Sequence, residues 1–203
     1  MPGGTFTNGQ VPTLAQVNAW LSSVATADIA DLAVTTAKLN DLAVTTGKIA
    51  AATVTVAKLA STPHVSVRHS ISQSIATATD TALAFDTERF DTDTMHDTAT
   101  NNSRLTATTA GKYRISANVS FASNATGYRA VWLRKNGNSA NPLARVVSPP
   151  VNGAITELCV SILENLVAAD YVEVMVYQNS GGALNCEAAG ANLPRFDMER
   201  VSS

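Results

Sequence analysis

The sequence predicts a mainly β protein in which a β-sandwich head follows a thin repetitive stalk and a short N-terminal helix. Three observations support this. Aliphatic residues recur every fifth position between residues 24 and 59, strand-like alternation dominates after Pro63, and a helical apolar pattern is confined to the first 24 residues. A period of five fits neither an α-helix nor a strand, so the middle of the chain is not an ordinary globular segment.

Residues 1–24 are predicted to form an anchoring segment with one short helix. The helix is expected from Thr13, as its N-cap, to about Val24. A helix this short needs a partner for its apolar side, either the same helix in neighbouring chains or a socket on a larger body. The predicted apolar face consists of Leu14, Val17, Trp20, Leu21 and Val24.

Residues 25–61 form the predicted stalk, built from ten-residue units such as Asp31–Asn40 and Asp41–Ala50. Each unit has too few aliphatic side chains to offset the cost of ordering its backbone, about 1–2 kcal/mol per residue. We therefore expect parallel copies of the chain to cover one another's apolar rows in a homotrimeric rod. The predicted stalk contacts are Ile29, Val34, Leu39, Val44, Ile49, Val54 and Leu59.

Two other interpretations of the stalk remain open. A flexible linker would also be rich in Ala, Thr and Asp, but it would not keep eight aliphatic residues in register. A coiled coil would repeat its apolar positions at intervals of three and four residues instead of five.

Residues 62–203 are predicted to form the head, because Ser61-Thr-Pro63 breaks the repeat and β patterns follow. Alternation is clearest from Lys112 to Phe121, and the strand Ala130–Lys135 runs into Asn136-Gly137, a strong hairpin signal. Further patterns bring the expected total to about eight to ten strands, as in a jelly-roll sandwich. These are Val65–Ser70, Thr81–Phe85, Leu143–Val147, Ala154–Leu163, Tyr171–Gln178 and Arg195–Val201.

The strand Tyr171–Gln178 is apolar on both faces, which predicts that one face meets the domain core and the other meets a sister subunit. Its valines at 172, 174 and 176 belong to one face. The other face gives the predicted trimer contacts of the head, Tyr171, Met175 and Tyr177.

Bulk composition argues against several classes of protein. A formal net charge of −2 and a pI near 5.9 give no basic surface for nucleic acid. No apolar run approaches the roughly 20 residues needed for membrane insertion, and the N-terminus has no secretion signal, so synthesis in the cytoplasm is expected. Cys159 and Cys186 are expected to be reduced, with Cys159 buried inside a strand.

No cofactor motif or catalytic constellation is recognisable, so the sequence predicts a protein that is not an enzyme. One acidic segment, residues 86–97, could supply oxygens to Ca²⁺, with Asp91 and Asp93 as weak candidate ligands. The segment lacks an EF-hand pattern, and Arg89 and Arg104 could neutralise it. We therefore expect a turn-rich loop and no metal.

Four segments of the head, in their usual order, resemble the C1q/TNF-like jelly-roll family. They are Gly111–Phe121, Leu133–Gly137, Leu158–Ile162 and Ala169–Val174, and the resemblance spans residues 64–203. It implies a ten-stranded sandwich that assembles as a trimer, with the paired aromatic strand ends near the three-fold axis. The chain departs from that family at Ala168-Ala169, where glycine often precedes the aspartate.

The stalk resembles the Ala-Val-Thr-Thr-Ala-Lys-Leu repeats of tailed-bacteriophage fibres, and Gln16–Trp20 resembles their N-terminal attachment segments. The combination implies a homotrimeric fibre on the virion surface. It would attach to other virion proteins through residues 1–24 and bind a host surface glycan or protein with its head. A short stalk without a large N-terminal domain favours the capsid over the tail. A structural decoration protein and a polysaccharide-degrading tailspike remain alternatives.

Overall fold

The computed structural model of the chain describes residues 11–22, 62–188 and 193–202. The chain divides into two units, Met1–Leu59 and Ala60–Ser203. The predicted stalk contacts from Ile29 to Leu59, as well as Val24 of the anchor, lie outside the described residues. They stay predictions, as do the domain boundaries after residues 24 and 61.

The first unit contains the helix α1, Leu14–Ser22, which begins where the sequence predicts. Thr13 caps it: the Gln16 amide donates to Thr13 Oγ1 at 3.3 Å, and the Thr13 amide donates to Gln16 Oε1 at 2.9 Å. This reciprocal pair of hydrogen bonds satisfies backbone N–H groups that have no acceptor within the first turn of the helix. In the part of the chain that the structure describes, no helix is long and apolar enough to span a membrane.

The described part of the head contains twelve strands, more than the eight to ten predicted. The additional strands are two or three residues long or lie at an edge, where alternation is too brief to recognise. The strands are β1 His64–Arg68, β2 Gln73–Ile75, β3 Thr81–Ala82, β4 Thr87–Asp91, β5 Arg104–Thr106, β6 Gly111–Phe121, β7 Arg129–Lys135, β8 Ala144–Ser148, β9 Thr156–Leu166, β10 Tyr171–Gln178, β11 Leu184–Cys186 and β12 Arg195–Ser202.

Two antiparallel sheets form the sandwich. The first has seven strands in the order β2-β11-β6-β12-β1-β4, with β9 also paired to β6. The second has five strands in the order β3-β10-β7-β8, with β5 also paired to β10. Some sequence neighbours, such as β10 and β11, thus belong to different sheets, so the chain crosses between the two layers of the sandwich.

The hydrophobic core lies between the two sheets and comes mainly from alternate residues of the long strands. On β6, Tyr113, Ile115 and Phe121 are fully buried, and Ala117 and Val119 are almost so, which confirms the predicted inward face. They pack in one cluster with the inward valines of β10, at positions 172, 174 and 176. The alternation of β6 therefore reflects burial of one face.

The Asn136-Gly137 turn follows β7 as predicted. Both residues have a left-handed backbone, with φ of 50° and 71°, and the Asn138 amide donates to the Lys135 carbonyl at 2.9 Å. Two consecutive positive φ angles define the tight turn that asparagine and glycine accommodate best. The returning strand β8 then pairs with β7 from Leu133↔Ala144 to Arg129↔Ser148.

One end of the sandwich, which we call the basal end, is where the chain enters the head. There β1 begins at His64, opposite Glu199 of β12, and β6 begins at Gly111, opposite Leu166 of β9. The turn of residues 167–170 joins β9 to β10 at the same end. The basal end therefore brings together three segments that lie far apart in the sequence: the one before β1, the one before β6 and the turn between β9 and β10.

Two expectations about local structure are wrong. The acidic segment is not only a loop, because Thr87–Asp91 forms β4 and pairs with β1; this exposed edge strand has no buried alternating face to reveal it. Cys159 is exposed, because the inward positions of β9 are Leu158 and Val160 and the intervening residue faces the other way. Cys186 is the buried thiol, and burial raises its pKa.

Candidate functional site

The basal end carries a pocket of about 500 Å³ between the loop that follows β4 and the turn between β9 and β10. The loop is tied to the start of the head, because the Thr92 amide donates to the His64 carbonyl at 3.1 Å. Pairing of β5 with β10 brings the two sides of the pocket together, with Thr106 opposite Tyr171. The lining residues are Thr94, Met95, His96, Asp97, Thr100, Asn101, Arg104, Thr106, Ala169 and Tyr171.

Acidic side chains shape this loop by accepting hydrogen bonds from its backbone. Asp91 Oδ1 accepts from the Asp93 amide at 3.0 Å, and Asp91 Oδ2 accepts from the His96 amide at 2.9 Å. Asp97 Oδ1 accepts from the amides of Ala99 and Thr100 at 2.8 and 2.9 Å. The two bonds to Asp97 favour its charged form and lower the pKa of that carboxyl.

The candidate metal ligands Asp91 and Asp93 are both engaged within the chain. Asp91 uses both oxygens as described, and Asp93 Oδ2 accepts a hydrogen bond from the Thr108 hydroxyl. Within residues 11–22, 62–188 and 193–202, no group of three or more His, Cys, Asp or Glu is placed to hold a metal ion.

The buried side chain of His96 stabilises the loop that follows β4. Its side chain is fully covered, with Nδ1 lying 3.0 Å from Glu88 Oε1 and Nε2 lying 3.2 Å from the Asn102 carbonyl oxygen. The ring therefore connects β4 to the far side of the loop. The loop conformation is fixed by bonds at several points along its length.

A cluster of two arginines and one glutamate stands beside the pocket. Glu173, with a side chain only 5% exposed, accepts from Arg134 Nε and Nη2 at 3.1 and 2.8 Å through Oε2. Its Oε1 accepts from the Ser103 hydroxyl at 3.1 Å and lies 3.6 Å from Arg104 Nε. Arg104 was expected to neutralise the acidic segment, but its carboxylate partner is Glu173, from another strand.

Arg104 occupies the wall of the pocket. Its guanidinium lies 4.0 Å from the centre of the Tyr171 ring, a cation–π contact, and its side chain is 35% exposed. Since Arg134 makes the shorter contacts to Glu173, the positive charge of Arg104 is the less compensated of the two.

Three of the lining residues have left-handed backbones although none is glycine. Their φ angles are 54° at Thr94, 54° at Asn101 and 72° at Ala169. Such conformations cost on the order of 1–3 kcal/mol each and persist only where the surroundings hold them, often at functional sites. The pocket thus concentrates local strain at both of its sides.

The predicted trimer contacts of the head have different surroundings. Tyr171 lines the pocket, whereas Met175 packs with Ala130 and Trp132 and is only 3% exposed within a single chain. Tyr177 stacks on Tyr128, with ring centroids 5.2 Å apart. The second apolar face of β10 is thus largely covered by its own chain, and Met175 has almost no surface left for a sister subunit. Contacts through Tyr171 and Tyr177 stay predictions.

The anchor prediction can be examined in part. Leu14 is 77% exposed and Val17 is half-buried, so this side of α1 retains apolar surface for a partner. The side chains of Trp20 and Leu21 lie outside the described residues.

The pocket itself could not be found by sequence reasoning. Its two sides are more than sixty residues apart, and the polar residues Thr94, Thr100 and Asn101 resemble ordinary loop residues. The only local signal was the departure at Ala169, where a residue that is not glycine precedes Asp170.

Two solved structures of murine APRIL share this architecture. No protein-family model and no curated protein sequence matches the chain. The crystal structure of murine APRIL at pH 5.0 is similar with a TM-score of 0.53 and 10% identity, covering 70% of this chain and 100% of that chain. Murine APRIL at pH 8.0 gives 0.52 and 12% identity, with coverage of 70% and 100%. The globular domain of zebrafish complement 1qA gives 0.48 and 14% identity, with coverage of 67% and 94%.

At these identities the likeness to APRIL shows the fold alone. The head has the C1q/TNF-like jelly-roll fold, which confirms the predicted fold class.

Proposed function

We propose that this chain is a non-enzymatic, homotrimeric fibre of a tailed-bacteriophage virion. Residues 1–24 would bind other virion proteins, residues 25–61 would form the stalk, and residues 62–203 would present the head for adhesion to the host cell surface. The observation that carries the proposal is the order of a short helix, a five-residue aliphatic repeat and a C1q/TNF-like jelly roll within 203 residues.

The repeat supplies the argument for self-association. Eight aliphatic side chains in register form a row that one slender chain cannot bury, and identical rows from parallel copies can cover one another. A cyclic rod and a cyclic head can share one axis, so a trimeric stalk is compatible with a trimeric head. Three heads on one stalk would strengthen weak binding through effective concentration.

The proposal includes location and partners. The fibre is made in the host cytoplasm and carried on the virion surface, and its partners are itself, other virion proteins and a host surface glycan or protein. The nearly balanced charge, formally −2, supports a role without nucleic acid, and apolar runs far shorter than about 20 residues support a role without membrane insertion.

Deleting the gene tests the proposal against its alternatives. Loss of adsorption with intact shells would support the fibre, whereas fragile shells with normal adsorption would support a decoration protein. Release of reducing ends from host polysaccharide by the purified chain would instead indicate a tailspike. Cryo-electron microscopy of the particle distinguishes capsid from tail attachment.

Native mass spectrometry tests the trimer separately. The expected species contains three copies of the 21.1 kDa chain. A monomer at micromolar concentration would contradict the proposal, because no sister chain would then bury the aliphatic side chains of the repeat.

A further inference from the structure

We propose that the basal pocket binds a saccharide unit that carries a carboxylate, and that the Arg104 guanidinium binds this carboxylate. The inference rests on the proposed adhesion function, and it names both the ligand class and its site.

The charge of Arg104 is the first reason. Two guanidinium groups share the single carboxylate of Glu173, and Arg134 holds that carboxylate at 2.8 Å whereas Arg104 approaches it at 3.6 Å. The cluster therefore retains one positive charge, located mainly on Arg104 at the pocket wall. The pocket is also lined by the Asp97 carboxylate, whose Oδ1 already accepts hydrogen bonds from the amides of Ala99 and Thr100. An arginine fork matches the two oxygens of a carboxylate better than it matches single hydroxyls.

The Arg104 fork is also available and oriented. Its Nε lies toward Glu173, and no described residue hydrogen-bonds with its Nη atoms. Stacking on the Tyr171 ring at 4.0 Å restricts the guanidinium plane, so little conformational freedom would be lost on binding.

The rest of the wall suits the body of a sugar. The side chains of Thr100, Asn101 and Thr106 line the pocket and make no hydrogen bond with any described residue. Hydroxyl and amide groups both donate and accept, as sugar hydroxyls do. Ala169 and the Tyr171 ring add apolar surface for the C–H faces of the sugar, whereas Met95 closes the floor as part of the hydrophobic core.

Size and rigidity agree with a binding role. About 500 Å³ lies within the roughly 300–1,000 Å³ typical of ligand pockets. The loop is fixed by the bonds to Asp91, Asp97 and His96, so the pocket is formed before any ligand arrives. A preformed site spends little binding free energy on ordering.

Binding of defined saccharides to the immobilised full chain tests the proposal. The probes are trigalacturonate, a hyaluronan tetrasaccharide and 3′-sialyllactose, each compared with its carboxyl methyl ester by surface plasmon resonance. At least one acid should bind, and its ester should bind about tenfold more weakly or worse, since the ester lacks the charged partner of Arg104.

Substitution of Arg104 completes the test. Arg104→Gln should weaken binding of the acid about tenfold or more, and it should remove the difference between acid and ester. A merely structural role for Arg104 would weaken both ligands alike and leave their ratio unchanged. Thr100→Val offers a second variant, because that hydroxyl has no partner among the described residues; it should weaken binding severalfold without altering the melting temperature.

Arg145→Gln is the matched control. Arg145 lies over the Trp132 ring at 5.4 Å, outside the pocket, and its replacement should leave saccharide binding unchanged. The proposal is overturned if none of the three acids binds, if esters bind as well as acids, or if Arg104→Gln binds like the wild type.

Adsorption of whole particles separates this inference from the proposed function. If deletion of the gene abolishes adsorption but Arg104→Gln does not, the proposed fibre role is supported and the pocket is rejected as the adhesion site. If acidic saccharides bind through Arg104 while deletion leaves adsorption normal, the proposed pocket is supported and the proposed adhesion role of the fibre is wrong.

Discussion

Replacing Asp170 by alanine should destabilise the head, because this carboxylate ties the turn between β9 and β10 to the turn after β7. Asn136 Nδ2 donates to Oδ1 at 2.7 Å, the Val167 amide donates to Oδ2 at 2.9 Å, and Lys135 Nζ lies 3.0 Å from Oδ2. The side chain is only 11% exposed, so water cannot fully replace these partners.

The magnitude follows from what remains after truncation. Hydrogen bonds to a charged group contribute about 1.5–3 kcal/mol each, but neighbouring contributions are not additive. Lys135 Nζ still has two partners after truncation, the Asn165 carbonyl at 3.1 Å and Glu164 Oε1 at 3.7 Å. The loss of its contact with Asp170 is therefore partly offset. Asn136 Nδ2 and the Val167 amide lose a strong acceptor. We expect Asp170→Ala to lower the free energy of unfolding by about 3 kcal/mol at pH 7, or about 10 °C in melting temperature.

Acid should diminish this effect. Burial alone would raise the pKa of the Asp170 carboxyl, but hydrogen bonds from Asn136, Val167 and Lys135 lower it below its usual value. A carboxyl with a lower pKa in the folded state stabilises the fold above its unfolded pKa, near 3.9, and loses that contribution as pH falls through the folded pKa. The difference in the free energy of unfolding between the wild type and Asp170→Ala should therefore have its full size at pH 7 and should decrease below about pH 4.

Urea denaturation of the full chain at fixed concentration, followed by tryptophan fluorescence at several pH values, measures this difference. Asp80→Ala is the control, since Asp80 is exposed and its replacement should change the free energy of unfolding by less than about 0.5 kcal/mol. If Asp170→Ala matched this control at pH 7, or if the difference increased in acid, the assignment of the turn's stability to this carboxylate would be wrong.

Three further predictions concern the turn at Ala169, the stalk and the anchor. Ala169→Gly should raise the free energy of unfolding by about 0.5–1 kcal/mol because φ is 72° there, whereas Ala168→Gly next to it should lower that energy by a similar amount; urea denaturation would show both. Replacing Val44 and Ile49 together by Asp should place like charges on the stalk axis, and native mass spectrometry should then detect monomers. An unchanged trimer would contradict the prediction that the aliphatic row lies at the axis of the stalk. Trp20→Ala should lower the number of fibres per purified particle, measured by quantitative mass spectrometry, without shifting the unfolding of the head; full occupancy would reject the anchor.

Local patterns were sufficient for much of the fold. The alternation of β6 predicted its buried face, Asn136-Gly137 predicted a tight turn after β7, and Thr13 predicted the helix cap. Each of these features depends on residues only a few positions apart, whose side-chain directions and φ preferences are set by the backbone itself.

The surroundings of single residues were harder to predict. Cys159 was expected to be buried and is exposed, because it lies between the inward residues Leu158 and Val160. Met175 was expected to face a sister subunit, yet Ala130 and Trp132 of the neighbouring strand largely cover it. Which residue covers a sheet face depends on strand pairing, and pairing is decided by the whole domain.

The sequence by itself determined the order of helix, repeat and sandwich, because periodicity and turn chemistry are local properties. Only the tertiary structure decided where a ligand could bind. The basal pocket exists because β5 pairs with β10, which brings Arg104 beside Tyr171 and sets the loop of residues 94–101 against the turn at Ala169. Hydrogen bonding between strands distant in the chain, together with burial of Glu173 between two arginines, fixes that arrangement, and no short stretch of sequence encodes it.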